Sequence, residues 1–149
     1  MKILAINKRA NYDYEILEKL EAGLVLKGYE VKSIKTRHIS LKGAYVAIIG
    51  GEAFLINANI PAYQPLNMPK NYEPTRSRKI LLRRSQIKSF IGRISQKGLT
   101  LTPIKVYSKG KLVKIEIGLG KGKRKIDKRE KIIERETRRK IERELKNRH

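Results

Sequence analysis

Apolar and polar positions alternate most cleanly near the end of the chain. Val113, Ile115, Ile117 and Leu119 are separated by Lys114, Glu116 and Gly118. A period of two puts one face of a strand in a core and the other in water. After Leu119 the alternation stops. Gly118, Gly120 and Gly122 are read as a flexible glycine hinge, and beyond it only Ile126, Ile132, Ile133, Ile141 and Leu145 are large and apolar. The pattern predicts a folded body over 1–120 carrying a tail, 121–149, that does not fold by itself.

Upstream, residues 2–6 form a short apolar run ended by Asn7-Lys8-Arg9. Asp13, Glu15, Glu18 and Glu21 then gather half of the body's acidic residues, read as a solvated face. Leu24 to Leu26, a Lys27-Gly28 turn and Val31 to Thr36 are expected to make a first hairpin. Ala44 to Ile49, Gly50-Gly51 and Glu52 to Ala58 are expected to make a second. The run 44–49 is apolar on both alternations, which predicts a central strand. Four prolines between Asn59 and Lys79 (Pro61, Pro65, Pro69, Pro74) predict a long loop. Ser85 reads as an N-cap, followed by Ile87, Phe90, Ile91 and Ile94 at helical spacing and by Gly98 as the stop.

The third hairpin begins at Leu99. Leu99 and Leu101 are apolar on one phase, Ile104 and Val106 on the other, so a bulge is expected at Thr102-Pro103. Short bent hairpins with flanking helices indicate a mainly β fold, and an OB-type β-barrel is the leading candidate of that size.

In the tail, Glu134/Arg138, Glu136/Lys140, Glu142/Lys146 and Glu144/Arg148 are acid-then-base pairs at i, i+4. Each supports a helix by about 0.2–0.5 kcal/mol without providing a face to bury. The expectation is a tail disordered when free and helical when bound to a partner.

Charge turns this outline toward a partner. The 149 residues carry a net charge of +22. The body contributes 22 basic against 8 acidic residues and the tail 14 against 6, so both parts are basic. A polyanion relieves such self-repulsion, nucleic acid first and an anionic membrane second. No run is long enough to span a membrane, and the apolar N-terminal stretch is too short for a signal peptide, so a cytoplasmic location is expected. The absence of cysteine removes disulfide, thiol and thiolate-metal chemistry.

Enzymatic motifs are missing as well. The histidines are His38, read as a turn residue, and His149, without a placed triad, metal cluster or paired carboxylates. The glycines of 118–122 lack phosphate-loop spacing. No cofactor and no metal are expected. Arg76, Arg78, Lys79, Arg83 and Arg84, Lys32 and Lys35, and Lys105, Lys109, Lys111 and Lys114 together favour an RNA face. Tyrosines could stack on bases, although most of the seven are expected to pack in the barrel. A structural ribosomal protein or general RNA chaperone would be served by the same features.

A set of motifs in order narrows the choice. Asn7 to Ala10, EAGLVLKGYEVKS (Glu21 to Ser33), PTRSRKILL (Pro74 to Leu82), GLTLTPIKVY (Gly98 to Tyr107) and GKGKRKIDKRE (Gly120 to Glu130) resemble SmpB, the SsrA-binding family of bacterial trans-translation. The resemblance implies an OB-fold body that binds the tRNA-like domain of tmRNA. It also implies a tail that becomes helical in the empty mRNA channel next to the decoding centre of a stalled ribosome, a rescue that leads to tagging of the nascent chain for degradation. A monomer is expected. By motif, Glu21, Leu81 and Lys114 match RNA-binding positions, with Asn7, Lys8, Arg9, Lys32 and Lys35 in support. Lys121, Gly122, Lys123, Lys128 and Arg129 match the ribosome-binding part of the tail, and Ile126 stands where relatives usually have histidine or tyrosine. A carboxylate at 21 repels phosphate, which implies a hydrogen bond to a base or 2′-hydroxyl, or the orientation of a neighbouring cation.

Overall fold

A computed structural model describes residues 1–36, 39–62, 69–123 and 127–146, with only the backbone described for 127–134. His38, Pro65 and Ile126 lie outside the described residues. The elements in order are β1 (Lys2–Ile6), α1 (Ala10–Asp13), β2 (Tyr14–Leu24), α2 (Gly28–Thr36), β3 (Tyr45–Ile49), β4 (Glu52–Ile56), β5 (Arg78–Leu81), α3 (Arg84–Lys97), β6 (Thr100–Lys109), β7 (Leu112–Gly122) and α4 (Asp127–Lys146). The strands form one antiparallel sheet in the order β1-β6-β7-β2-β5-β4-β3. The fold is mainly β, and β1 and β3 are the two edges of the sheet.

The long strands β2, β6 and β7 carry the architecture. Register shifts occur between Ile3 and Ala5, between Ile16 and Glu18, and between Pro103 and Lys105. Such bulges bend and twist the sheet, and the third occupies the place where the hydrophobic phase slips in the sequence. Ile80, Ile115, Ile117 and Leu119 from the sheet are buried with Phe90 of α3 in one core, which Ile34 of α2 joins. Helix α3 ends as expected, with Gly98 left-handed (φ 63°) and its N–H donating to Ile94 O at 3.1 Å. Its N-cap is Arg83 and not the expected Ser85, which lies inside the first turn. The N–H of Arg83 donates to Gln86 Oε1 at 2.9 Å, so the glutamine provides the N-terminal cap.

Four expectations are corrected. First, Gly28–Thr36 is a helix and not the second arm of a hairpin. Its cause is Glu30, whose Oε1 accepts the Lys27 N–H at 3.0 Å and so caps the first turn. The same carboxylate is buried against Arg76 and Arg78, which anchors one helical face.

Second, β3 is an edge strand and not a central one. Its two apolar faces are explained by cover: Val46 joins the main core, while Tyr45, Ala47 and Ile49 pack with Phe54, Ile56 and Ile141 of α4.

Third, the glycines at 118, 120 and 122 are strand, paired with Lys19, Ile16 and Tyr14 respectively. A Cβ at 118 would stand 2.8 Å from Ile104 Cδ1, and one at 120 would stand 3.1 Å from both Glu15 O and Tyr14 Cβ. At both positions glycine permits close packing between neighbouring strands.

Fourth, the tail does have a face to bury. In α4, Thr137 and Ile141 are buried. The Tyr45 hydroxyl is hydrogen-bonded to Thr137, Lys140 Nζ donates to Asn57 Oδ1 at 3.1 Å and to Thr75 O at 2.9 Å, and the Ser77 N–H donates to Glu144 Oε1 at 3.2 Å. A narrow stripe at i, i+3, i+4 and i+7 thus seats the helix on the β3–β4 face.

Candidate nucleic-acid interface

The outward face of the long strands follows from register. Gly23 of β2 lies beside Leu81 of β5 on one side and Lys114 of β7 on the other. Lys114 lies beside Tyr107 of β6, and Tyr107 beside Ile3 of β1. Adjacent strands are about 4.8 Å apart, so Leu81 to Tyr107 spans roughly 14 Å. Two residues along, Glu21, Glu116, Lys105 and Ile6 form a second row. Glu21, Leu81 and Lys114 therefore come together on one open patch. Leu81 is 56% exposed, and Gly23 keeps the surface low beside it, since a Cβ there would meet Leu81 Cδ1 at 3.3 Å.

Within this patch Glu21 is held from below. The Tyr107 hydroxyl donates to Glu21 Oε2, and Lys109 Nζ stands 3.6 Å from Oε1. The hydrogen bond from Tyr107, helped by the charges of Lys109 and Lys114, holds the carboxyl below its ordinary value against its partial desolvation. Burial, followed by that same hydrogen bond, pushes the tyrosine hydroxyl well above its ordinary range. Lys105 Nζ lies 5.6 Å from the centroid of the Tyr107 ring. The patch sets an acceptor-only carboxylate among lysines, with a second carboxylate, that of Glu116, on the neighbouring strand.

Asn7 follows Ile6 at the end of the second row, and Lys8 and Arg9 lead on from it into α1. The Asn7 amide donates to Pro103 O at 2.8 Å, its N–H donates to Ile104 O at 2.7 Å, and its Oδ1 accepts the Arg9 N–H at 3.2 Å. It ties the entry of α1 to the bulge of β6. Arg9 pairs with Asp13 at 3.2 Å and lies 5.1 Å from the Tyr12 ring centroid, while Lys8 is exposed. Lys121, Gly122 and Lys123 reach this same corner. The Lys123 N–H donates to Asp13 O at 3.0 Å and its Nζ to Asn11 O at 2.8 Å. At about 3.3 Å per residue, roughly 25 Å of strand separates Gly122 at the end of β7 from Lys114, whereas Asn7 stands beside the β6 bulge, nearer to Lys114. Lys32 and Lys35 are exposed on α2, opposite its buried Glu30, Ser33 and Ile34. The backbone of Lys128 and Arg129 lies in the first turn of α4.

Two arginines of the expected RNA face serve another purpose. The Arg78 side chain is fully buried, donating to Glu30 Oε2 from Nε (3.0 Å) and Nη2 (2.7 Å) and to Ala58 O at 2.7 Å. Arg76 donates to both Glu30 oxygens. Burial by itself would raise the Glu30 pKa, but the hydrogen bonds from Arg76 and the Lys27 N–H, with the charge of Arg78, hold it below the ordinary value. The Arg78 guanidinium is wholly enclosed, while that of Arg76 keeps a small exposed edge. Lys79 is paired with Glu52 at 3.0 Å on the surface, and Arg83 and Arg84 are exposed.

Tyr107 is the site residue that sequence reasoning missed. Counting back from the Gly110-Lys111 turn pairs 109 with 112, 108 with 113 and 107 with 114. That count alone would have placed the tyrosine beside Lys114. Among the described residues no group of three or more His, Cys, Asp or Glu is arranged to hold a metal, and no helix is long and apolar enough to cross a membrane.

Comparison with known proteins adds the following. A family model described as "SmpB protein" matches residues 4–147. A protein of Roseiflexus castenholzii named "SsrA-binding protein" is 46% identical over 99% of this chain and 93% of its own length. Proteins of the same name from Shouchella clausii (47%, covering 99% and 94%) and Carboxydothermus hydrogenoformans (46%, covering 99% and 99%) are similar throughout. A solved structure described as "tmRNA-SmpB: a journey to the center of the bacterial ribosome" superposes with a TM-score of 0.65 at 39% identity, covering 83% of this chain and 86% of the other.

Proposed function

The chain belongs to the SmpB family, and from that premise we propose that it binds the tRNA-like domain of tmRNA through the open sheet face and brings it to stalled ribosomes in trans-translation. The family is non-enzymatic, and the protein acts by binding RNA. The observation that carries the reading is the convergence of Glu21, Leu81 and Lys114 on one exposed patch of an antiparallel sheet. Lys114 neutralises phosphate, Leu81 offers an apolar edge to a sugar or base, and Glu21 accepts a hydrogen bond from an RNA donor.

Asn7, Lys8 and Arg9 act from the α1 corner, and Lys32 and Lys35 from α2, as supporting contacts. Residues 1–120 form the RNA-binding body, an OB-type barrel. Residues 121–149 form the ribosome-binding tail, in which Lys121, Lys123, Lys128 and Arg129 meet ribosomal RNA beside the decoding centre and in the mRNA channel. The protein works in the cytoplasm as a monomer, without cofactor.

The test is competitive binding of the intact protein, at near-physiological salt, to the tRNA-like domain of tmRNA against an elongator tRNA and random RNA. Strong preference for the first is expected. Equal binding to all three would refute the proposal and favour a general RNA-binding protein. A tail deletion should end after Lys123, because a cut after Gly120 removes the pairing of Lys121 and Gly122 with Glu15 and Tyr14.

A further inference from the structure

We propose that Tyr107 is a positioning residue for RNA recognition: its hydroxyl pins one oxygen of Glu21, so that the other faces an RNA donor, a base amino or imino group or a ribose 2′-hydroxyl. The inference rests on the reading of Glu21 as an RNA contact. A surface glutamate with an unconstrained side chain would adopt several rotamers and lie down on the nearest ammonium. Here the candidates are numerous, with Lys105 and Lys109 on β6, Lys114 on β7 and Lys19 on its own strand, and Glu116 as the facing acid. One of these cations, Lys109, forms an ion pair with the second oxygen, Oε1, from a side chain 63% exposed, a surface pair that an RNA donor and phosphate can replace. At 3.6 Å the pair is longer than a hydrogen bond, so it neutralises the oxygen in part without fixing its direction.

Tyr107 is different in kind. It is 3% exposed, so its ring is locked by packing, and the hydroxyl emerges at one point of the patch. A neutral donor holds the carboxylate without cancelling its charge. Of about four lone-pair positions on a carboxylate, Tyr107 occupies one. Flanking ammonium groups suit phosphates on either side, and the carboxylate between them repels phosphate while attracting N–H or O–H. This combination selects a nucleotide presented in one orientation, since a site built around a polar partner rejects ligands that lack it.

The experiment compares the intact protein with Tyr107→Phe, Glu21→Ala and the double variant, binding the tRNA-like domain and random RNA at two salt concentrations. Phenylalanine keeps the ring and its packing. Tyr107→Phe is expected to weaken binding to the tRNA-like domain about tenfold, as loss of a hydrogen bond to a charged group does, with random-RNA affinity and salt slope unchanged. The double variant should bind no more weakly than Glu21→Ala, because the tyrosine acts only through the carboxylate. In a carboxyl NMR titration of Tyr107→Phe, the Glu21 pKa should rise toward its ordinary value. Full affinity of Tyr107→Phe, or equal loss for both RNAs, would overturn the positioning role while leaving Glu21 in the site. Full affinity of Glu21→Ala would remove Glu21 itself, and this proposal with it.

Discussion

Replacing Glu30 by glutamine should be among the most damaging single changes in the body. The carboxylate accepts the Lys27 N–H, two donors from Arg76 and two from Arg78. Glutamine keeps one acceptor oxygen and turns an NH2 group toward the guanidinium donors. The Arg78 side chain is fully buried and that of Arg76 is 16% exposed, so neither can rehydrate without local unfolding. Removing one partner of a buried ion pair costs about 3–5 kcal/mol. Set against a typical total of about 5–15 kcal/mol, this is roughly a fifth of the stability or more. Urea denaturation should show the loss directly.

The acid limb provides a second signature. Because the folded Glu30 pKa lies below its ordinary 4.5, its contribution is complete above that pH and is lost as pH falls through the folded value. Glu30→Gln should therefore flatten the dependence of stability on pH below about 4.5. Replacing both members by apolar residues (Glu30→Leu with Arg78→Met) should restore part of the stability, since no buried charge is left unpaired except the more exposed Arg76. A loss below about 1 kcal/mol, with an unchanged acid limb, would refute the buried cluster.

Other perturbations probe the remaining layers. Gly118→Val should destabilise the body by about 1–3 kcal/mol through contact with Ile104 and Ile16; unchanged urea unfolding would mean that the space is open. Ile141→Asp should release α4, so that its amides exchange like those of an exposed helix and an apolar dye binds near Phe54 and Ile56. Its cost to the body is limited to the docking free energy, and retained amide protection would show that Ile141 does not anchor the helix. Lys114→Ala should shallow the salt dependence of tmRNA binding by about one unit, and an unchanged slope would exclude a phosphate contact.

The third hairpin was legible down to its bulge, because Val113, Ile115 and Ile117 alternate with less buried residues on β7 and Pro103 interrupts the phase on β6. The second hairpin was legible from its glycine pair, although cover by α4 disguised an edge strand as a central one. Strand β2 was missed before Ala22 because its outward face carries Glu15, Lys19 and Glu21 and a bulge after Ile16 breaks the alternation. In α2 and β5 the key residues are Glu30 and Arg78, charged side chains that a surface rule puts in water and that burial pairs with each other. The grouping of Glu21, Leu81 and Lys114 came from family resemblance. No local pattern joins positions 21, 81 and 114; strand order does.

The mooring of Lys123 at the α1 corner sets the length of a tether. Lys123 is bonded to Asp13 and Asn11, and α4 begins at Asp127. Four residue steps reach at most about 14 Å. The helix thus meets its seat on β3–β4 at an effective concentration on the order of millimolar, so contacts by Thr137, Lys140, Ile141 and Glu144 with a dissociation constant up to about that value suffice within the chain. Severing the chain between Lys123 and Asp127 would turn the same contacts into an ordinary bimolecular encounter, and at micromolar protein a seat of millimolar affinity would stand empty.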